Sequence, residues 1–266
     1  MTTEAITALD AEHARALELF GSLSPEEWAA PSDCAGWRVQ DVAAHMAAVF
    51  QTIADPGSVE GAAGPDVEAN AEVPVGARRD WTSADVLADY EAWSEKGRAA
   101  LVALQAPGVA TTVVPLANLG SHPLHLLANA LVFDHYCHLR WDIAAPNGPV
   151  VRDLPQDPAV LTETMTWMLT GLPQMCTSAL AVVDRPVTLV FEGPGGGDWT
   201  LQPPSEDGAL TAVVDGWDDG AAAVVRSTPH DFVCWGTKRR DWRSMAVTLE
   251  GDQGYAAQVL DAFNVI

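Results

Sequence analysis

Apolar residues in the first half of the chain recur at the three-to-four-residue spacing of helices that bury one face. The pattern predicts a first helix from about Thr7 to Leu23. Ser24-Pro25-Glu26-Glu27 then starts a short helical turn, with Ser as N-cap and Pro at the first helical position. A second helix follows "DCAGW" over about Val39 to Ile53. The stretch "ADPGSVEGAAGPDVEANAEVPVG" shows no periodicity and reads as a loop. A third helix is expected from Thr82, with Asp85 completing an approximate capping box, to Leu104. A fourth is expected from Ser121, with Pro123 just inside, to Ile143. Four amphipathic helices predict an all-α four-helix bundle.

The pattern changes at "AAPNGPVVRDLPQDP", a Pro/Gly/Asn-rich candidate linker. Beyond it, one helix over about Ala159 to Leu172 precedes short strand-like runs. "PVTLVFEG" and "DWTLQP" flank "PGGG" as a hairpin, and "ALTAVVDG", "AAAVVRS" and "MAVTLEGD" read as further strands. "TPHDFVCWGT" is expected to be helical from Pro229 with Thr228 as cap, and "YAAQVLDAF" to form a closing helix. The expected organisation is a helical bundle over residues 1–149 and a small α+β domain over residues 150–266.

Composition narrows the functions open to such a chain. Fourteen basic residues oppose 36 acidic ones in 266 residues, a formal charge of -22. So acidic a surface repels nucleic acid and anionic membranes, which excludes both as expected partners. No stretch reads as a signal peptide or membrane span. Cys34, Cys137, Cys176 and Cys234 are widely spaced with no C-x-x-C pair, the pattern of reduced thiols in a cytoplasmic protein.

The candidate chemistry lies in "FDHYCHLRWD", Phe133 to Asp142. On a helix, Asp134, His138 and Asp142 follow one face, and Leu127 and Leu131 share it in the preceding turns. A stripe that passes from leucine into carboxylate and imidazole points into the bundle, where such groups need a partner. A metal ion would supply one. On the second helix, His45 falls on the apolar face of Val42, Met46, Val49 and Phe50. A single histidine of this kind is more often a hydrogen-bonded core residue, but two polar clusters on buried faces of one bundle favour a shared site. His45, Asp134 and His138 would give two nitrogens and one carboxylate, and three protein ligands leave a position open for chemistry.

"GWRVQDVAAHM" closely resembles the G-W-x-V-x-D-V-x-x-H-L signature of mycothiol-dependent maleylpyruvate isomerases and the wider DinB-like metalloenzymes. "VTLVFEGPGGGDWTLQP" and "VTLEGD" are similar, more loosely, to the sterol-carrier-like domain of those enzymes. The resemblance implies a DinB-like bundle and a divalent metal, usually zinc, held by a histidine of the second helix and an E-x-x-x-H pair of the fourth. Carried over, these are His45, Asp134 and His138. Asp134 departs from the family's glutamate by one methylene, and His135 beside it is the alternative third ligand. Asp142 would orient a ligand; the family places its aspartate one residue earlier. The resemblance also implies a second-domain arginine that binds the substrate carboxylate, and Arg239 in "KRRDWR" is the nearest match. That run could equally be a helix end offsetting the dipole.

The implied activity is metal-dependent chemistry with mycothiol, a low-molecular-weight thiol, as cosubstrate. The expected reaction is cis–trans isomerisation of a small maleylpyruvate-like substrate, in a pocket between bundle and second domain. A thiol S-transferase needs the same first step and stays open. So do a non-catalytic carrier of apolar ligands and a metal-dependent hydrolase, although no glutamate flanks either histidine as a general base for hydrolysis. His122 and His125 read as polar contacts at the bundle end or at the domain junction, Cys137 as a core thiol, "GPGGG" as a turn, and Trp28 and Trp37 as closing the bundle.

Overall fold

A computed structural model of the chain describes residues 3–59, 61, 64–204 and 211–266. It divides into two compact units, Met1–Pro155 and Gln156–Ile266.

In the first unit, α1 (Thr3–Ser22) and the short α2 (Pro25–Ala29) lead to α3 (Val39–Ala54), α4 (Val67–Arg78), α5 (Ser83–Leu104) and α6 (Leu127–Cys137). Ser24 Oγ accepts from Glu27 N while the Glu27 carboxylate accepts from Ser24 N, so the capping box of α2 is complete. Thr82 and Asp85 make the same reciprocal pair at the start of α5. α3 and α5 pack tightly because Gly97 has no side chain: a Cβ there would lie 2.5 Å from Phe50 Cδ1. α1 lies against α5 and α6. Leu9, Phe20, Val42, Met46, Phe50, Tyr90, Leu101 and Val132 are almost wholly buried between them. Each such side chain contributes about 1.5–3 kcal/mol relative to exposure.

The helical unit differs from four plain helices in two places. The expected Gly/Ala/Pro loop contains α4, where the Asp66 carboxylate caps Glu68 N and Ala69 N. α4 has little apolar periodicity because it lies against α3 with few side chains buried. The expected start of the fourth helix is instead extended: β2 (Ser121–Pro123) pairs antiparallel with β1 (Val113–Pro115). Gly120 turns the chain between them at φ 100°, and Leu116 N donates to its carbonyl. His122 and His125 lie on β2 and the following 3-10 turn, bonded to the carbonyls of Leu119 and Ala110. α6 passes at His138 into a π-helical segment, His138–Ile143, in which Ala144 N donates to Leu139 O five residues back.

The division falls after Pro155, a short way beyond the expected boundary at Pro149. Ala145 N and Val150 O, and Val150 N and Ile143 O, are hydrogen-bonded, and the Pro155 carbonyl accepts two bonds from Arg140. These bonds hold the linker to the first unit.

The second unit opens with α7 (Pro158–Met175), followed by β3 (Val187–Phe191), β4 (Gly197–Gln202), β5 (Ala212–Asp215), β6 (Ala223–Ser227), α8 (Pro229–Gly236), β7 (Thr248–Gly251) and α9 (Gln253–Asp261). The strands form one sheet in the order β5-β4-β3-β6-β7, with β3 and β6 parallel and the other neighbours antiparallel. The hairpin register pairs Val187 with Leu201, and Thr228 caps α8 through Asp231 N. The first two residues of the expected strand "ALTAVVDG" lie outside the described residues. Phe191, Phe232, Trp235 and Phe263 form an aromatic core, with centroid separations of 4.7 to 6.2 Å. Among the described residues, no helix is long and apolar enough to cross a membrane.

Candidate metal centre

α3, α6 and the π segment that follows it bring His45, Asp134 and His138 together within the first unit. One ligand atom from each lies within 4.8 Å of the others. His45 Nε2 is 3.1 Å from Asp134 Oδ1, and His138 Nε2 is 3.4 Å from the same oxygen. Two ligands about 2.0–2.1 Å from a tetrahedral zinc stand roughly 3.3 Å apart, so these spacings suit a shared ion. Hydrogen bonds alone leave the cluster incomplete: buried Asp134 Oδ2 and His45 Nδ1 have no hydrogen-bond partner. The donor set of two imidazoles and one carboxylate, with an orphaned carboxylate oxygen, fits a divalent cation.

The motif around His45 builds the site locally. Gly36 takes φ 82°, a turn that side chains disfavour. Asp41 accepts from Arg38 N and from the Arg38 guanidinium, which closes the start of α3, and Val39 and Val42 are fully buried. His45 is thereby left facing Asp134 one turn on. Trp37 is half-buried with its ring 5.3 Å from that of His45, and its Nε1 donates to Glu72 of α4. Trp37 therefore walls the site, while Trp28 is the tryptophan that closes the core, against Phe20.

His138 is held from both sides. Its Nδ1 is 2.6 Å from Asp142 Oδ2, inside the π segment. A carboxylate only accepts, so Nδ1 carries the proton and Nε2 faces Asp134. Arg140, between His138 and Asp142 in sequence, is anchored at Glu12: the guanidinium donates to both carboxylate oxygens at 2.6 and 3.0 Å and lies 3.9 Å from the Tyr136 ring centre.

Electrostatics follow from this packing. Burial raises the Asp134 carboxyl, but His138 and His45 more than reverse it and hold it well below the usual carboxylate range. Burial lowers His138, but Asp134, Asp142 and Cys34 more than reverse it and hold it well above the ordinary imidazole value. An acid–base pair of this kind is a preformed cationic position; uptake of a metal by His138 would release its proton.

His135 is placed differently. It is wholly buried, with Nε2 2.9 Å from the Tyr90 hydroxyl and Nδ1 2.9 Å from the Leu131 carbonyl. Both nitrogens are occupied away from His45, so it props α6 against α5. Cys137 is a core thiol, 1% exposed.

Two neighbours had no signal in spacing or periodicity. Cys34 Sγ lies 3.9 Å from His138 Nδ1, from a loop preceding α3. Tyr90 lies on the core face of α5 like any aromatic.

Arg239 belongs to the second unit, half-buried just after α8, where its N–H donates to Cys234 O. Two other residues of the basic run are committed to α9. Lys238 Nζ reaches the carbonyls of Leu260 and Asp261, and Arg243 grips the Asp261 carboxylate at 2.7 and 2.8 Å. Part of the run therefore does offset a helix end.

Residues 9–144, just over half of the chain, match the model of the mycothiol maleylpyruvate isomerase N-terminal domain. The structure is similar to a crystal structure of the mycothiol-dependent maleylpyruvate isomerase, with TM-score 0.57 and 15% identity over 94% of this chain and 96% of that one. A mutant of that isomerase is similar at TM-score 0.53 with the same identity and coverage. At this identity the likeness is one of fold. No curated protein matches the sequence.

Proposed function

Because this chain belongs to the mycothiol maleylpyruvate isomerase N-terminal domain family, we propose that it is a metal-dependent enzyme using mycothiol to isomerise a small maleylpyruvate-like substrate. The observation that carries the reading is the convergence of His45 Nε2 and His138 Nε2 on Asp134 Oδ1, within one group of three possible ligands. These residues would hold the ion, with zinc favoured by the donor set. A bound divalent ion supplies a Lewis acid that lowers the pKa of a thiol.

The chain's own residues set up that chemistry. Asp142 keeps the Nδ1 proton on His138 and so leaves Nε2 as the donor. Trp37 shields His45 from water on one side. Asp134 contributes a negative charge that the two imidazoles keep ionised. In the proposed reaction the thiolate adds to a conjugated cis double bond. The resulting single bond rotates, and elimination returns the trans isomer with the thiol intact. Arg239 is the proposed partner for a substrate carboxylate; its support is the resemblance and its positive charge. A reduced thiol cosubstrate suits a cytoplasmic location.

The test is elemental analysis of the purified full chain, then incubation with mycothiol and maleylpyruvate. Zinc near one equivalent and a trans product with mycothiol recovered unchanged are expected. Mycothiol consumed into a stable adduct would make the enzyme an S-transferase. A chain that takes up no divalent metal and shows no thiol-dependent turnover would end the reading.

A further inference from the structure

The glycine-rich turn between β3 and β4, Gly193 to Gly197, also shapes an empty space in the second unit. Gly195 takes φ 70°, and a Cβ there would lie 2.5 Å from Leu161 Cβ and 2.8 Å from Thr162 N. Glycine therefore lets the turn touch α7. A Cβ on Gly197 would lie 2.8 Å from Trp199 Cη2, so its absence lets the indole lie over the strand, with ring centres of Trp199 and Phe191 5.8 Å apart. Between α7 and the β4–β5 pair this leaves a cleft of about 460 Å³, with Gly195 and Gly196 in its wall. Small-molecule sites occupy about 300–1,000 Å³, so the cleft is large enough for a ligand.

Its walls differ in chemistry. Met165, Leu169 and Pro173 follow one row of α7 at four-residue spacing, and Trp199 and Val213 line the cleft from the sheet. Thr162 and Thr166 lie on a neighbouring row, but each spends its hydroxyl on a helix carbonyl, Pro158 O and Thr162 O, both at 2.9 Å. The body of the cleft is therefore apolar. Asp215 is the one charged residue among the described residues that line it. It is exposed, and it pairs with Trp199 across β4 and β5, so the two side chains stand side by side on one face of the sheet. Among the described residues, the Asp215 carboxylate has no ion pair or hydrogen bond.

A carboxylate without a partner, beside an indole and at the edge of an apolar cleft, suits a cation that carries an apolar body. The carboxylate offsets the charge, and the ring attracts it through its quadrupole. We propose that this cleft binds a small organic ammonium ion, with its aryl or alkyl body along Met165 and Leu169 and its charge between Trp199 and Asp215. The net charge of -22 draws cations to the whole surface, but the apolar wall beside Asp215 selects an organic cation over a simple salt ion. A substrate that carries a carboxylate, as in the proposed isomerisation, is repelled by Asp215. The cleft is thus a second site, and it does not rest on that reading.

The experiment titrates the full chain with phenylbutylammonium, phenylbutanol and phenylbutyrate by isothermal titration calorimetry. The three probes share one body and differ in charge. The ammonium should bind tightest, and the alcohol about fivefold more weakly, the worth of one exposed ion pair. The acid should not bind measurably. Asp215→Asn should remove most of the preference for ammonium over alcohol, and added salt should shrink it in the unaltered chain. Trp199→Leu should weaken the ammonium by about tenfold, through lost ring contact and lost cation–π attraction. Thr166→Phe, which fills the cleft from a half-buried helix position, should abolish binding of all three. Asp215 is exposed and Thr166 half-buried with its hydroxyl turned to its own helix, so both variants should stay folded, which melting curves check. An unchanged preference in Asp215→Asn, or ammonium binding that survives in a folded Thr166→Phe, would put the cation elsewhere on the acidic surface and overturn the site. Failure of all three probes to bind the unaltered chain would overturn it as well.

Discussion

His138 Nδ1 and Asp142 Oδ2 stand 2.6 Å apart across a π-helical turn, which leaves His138 Nε2 to face Asp134 and His45. Removal of such an outer partner lowers metal affinity about 10- to 100-fold. Asp142→Ala should therefore weaken zinc binding by that order in a chelator competition. Asp142→Asn, whose amide oxygen still accepts the Nδ1 proton, should retain most of the affinity. Equal loss in both would mean that charge, not orientation, is what Asp142 supplies.

The two candidates for the carboxylate position separate by readout. Asp134→Ala should abolish stoichiometric zinc, whereas His135→Ala should keep zinc and lower the melting temperature. His135 is the buried partner of the Tyr90 hydroxyl, and leaving that hydroxyl unsatisfied costs about 1–3 kcal/mol. Asp134→Glu, which keeps the charge, should bind better than Asp134→Asn. Zinc lost in His135→Ala but kept in Asp134→Ala would favour a three-histidine site.

The Glu12–Arg140 pair is a structural prediction. Both side chains are at most 3% exposed, and Arg140 lies between His138 and Asp142 in sequence. Breaking a buried pair by removing one partner costs about 3–5 kcal/mol. Glu12→Ala should lower urea stability by that order and loosen zinc binding. The double replacement Glu12→Leu with Arg140→Met should be less damaging than either single change if the uncompensated charge is the cause.

His13 is expected to make stability pH-dependent. Burial first, then Arg98 and His135, lower its pKa from 6.5 to about 4, while its Nε2 lies 2.9 Å from Ser94 Oγ. The unfolded chain takes up this proton near pH 6.5 and the folded chain only near pH 4. The stability contribution is thus whole above pH 6.5 and is lost as pH falls towards 4. His13→Gln should flatten this part of the profile in urea titrations from pH 7 to pH 4. An unchanged slope in the variant would assign the acid sensitivity to other groups.

Arg239→Ala should reduce kcat/KM about ten- to a hundredfold, the worth of one charge-assisted hydrogen bond of roughly 1.5–3 kcal/mol. Zinc content should hold. An equal loss with substrates lacking a carboxylate would argue against the clamp. Arg243 is a poor substitute for the role because it grips Asp261 through both terminal nitrogens.

The helices that bury one face were legible in the sequence because their periodicity is imposed by the core: α1, α3, α5 and most of α6 follow it directly. The capping pairs Ser24–Glu27 and Thr82–Asp85 were legible for the same local reason. So were the strands of the second unit, bounded by their glycine and proline turns. α4 was not, since a helix with so few buried side chains shows little stripe. The β1–β2 ribbon was hidden because Ser121 and Pro123 match a helix start as well as a strand end.

By itself the sequence determined that His45, Asp134 and His138 lie on core-facing helix positions, since spacing along one helix dictates which side chains share a face. Which of them meet, and by which atom, was decided only by tertiary structure. Asp134 and His135 are neighbours with similar donor chemistry, yet packing of α6 against α3 and α5 turns one to His45 and the other to Tyr90. The π turn that brings Asp142 under His138, and the loop that sets Cys34 beside it, likewise depend on bonds between segments far apart in the chain. Local pattern records burial, which is one-dimensional; a ligand set needs distances between elements, and those exist only once the helices have packed.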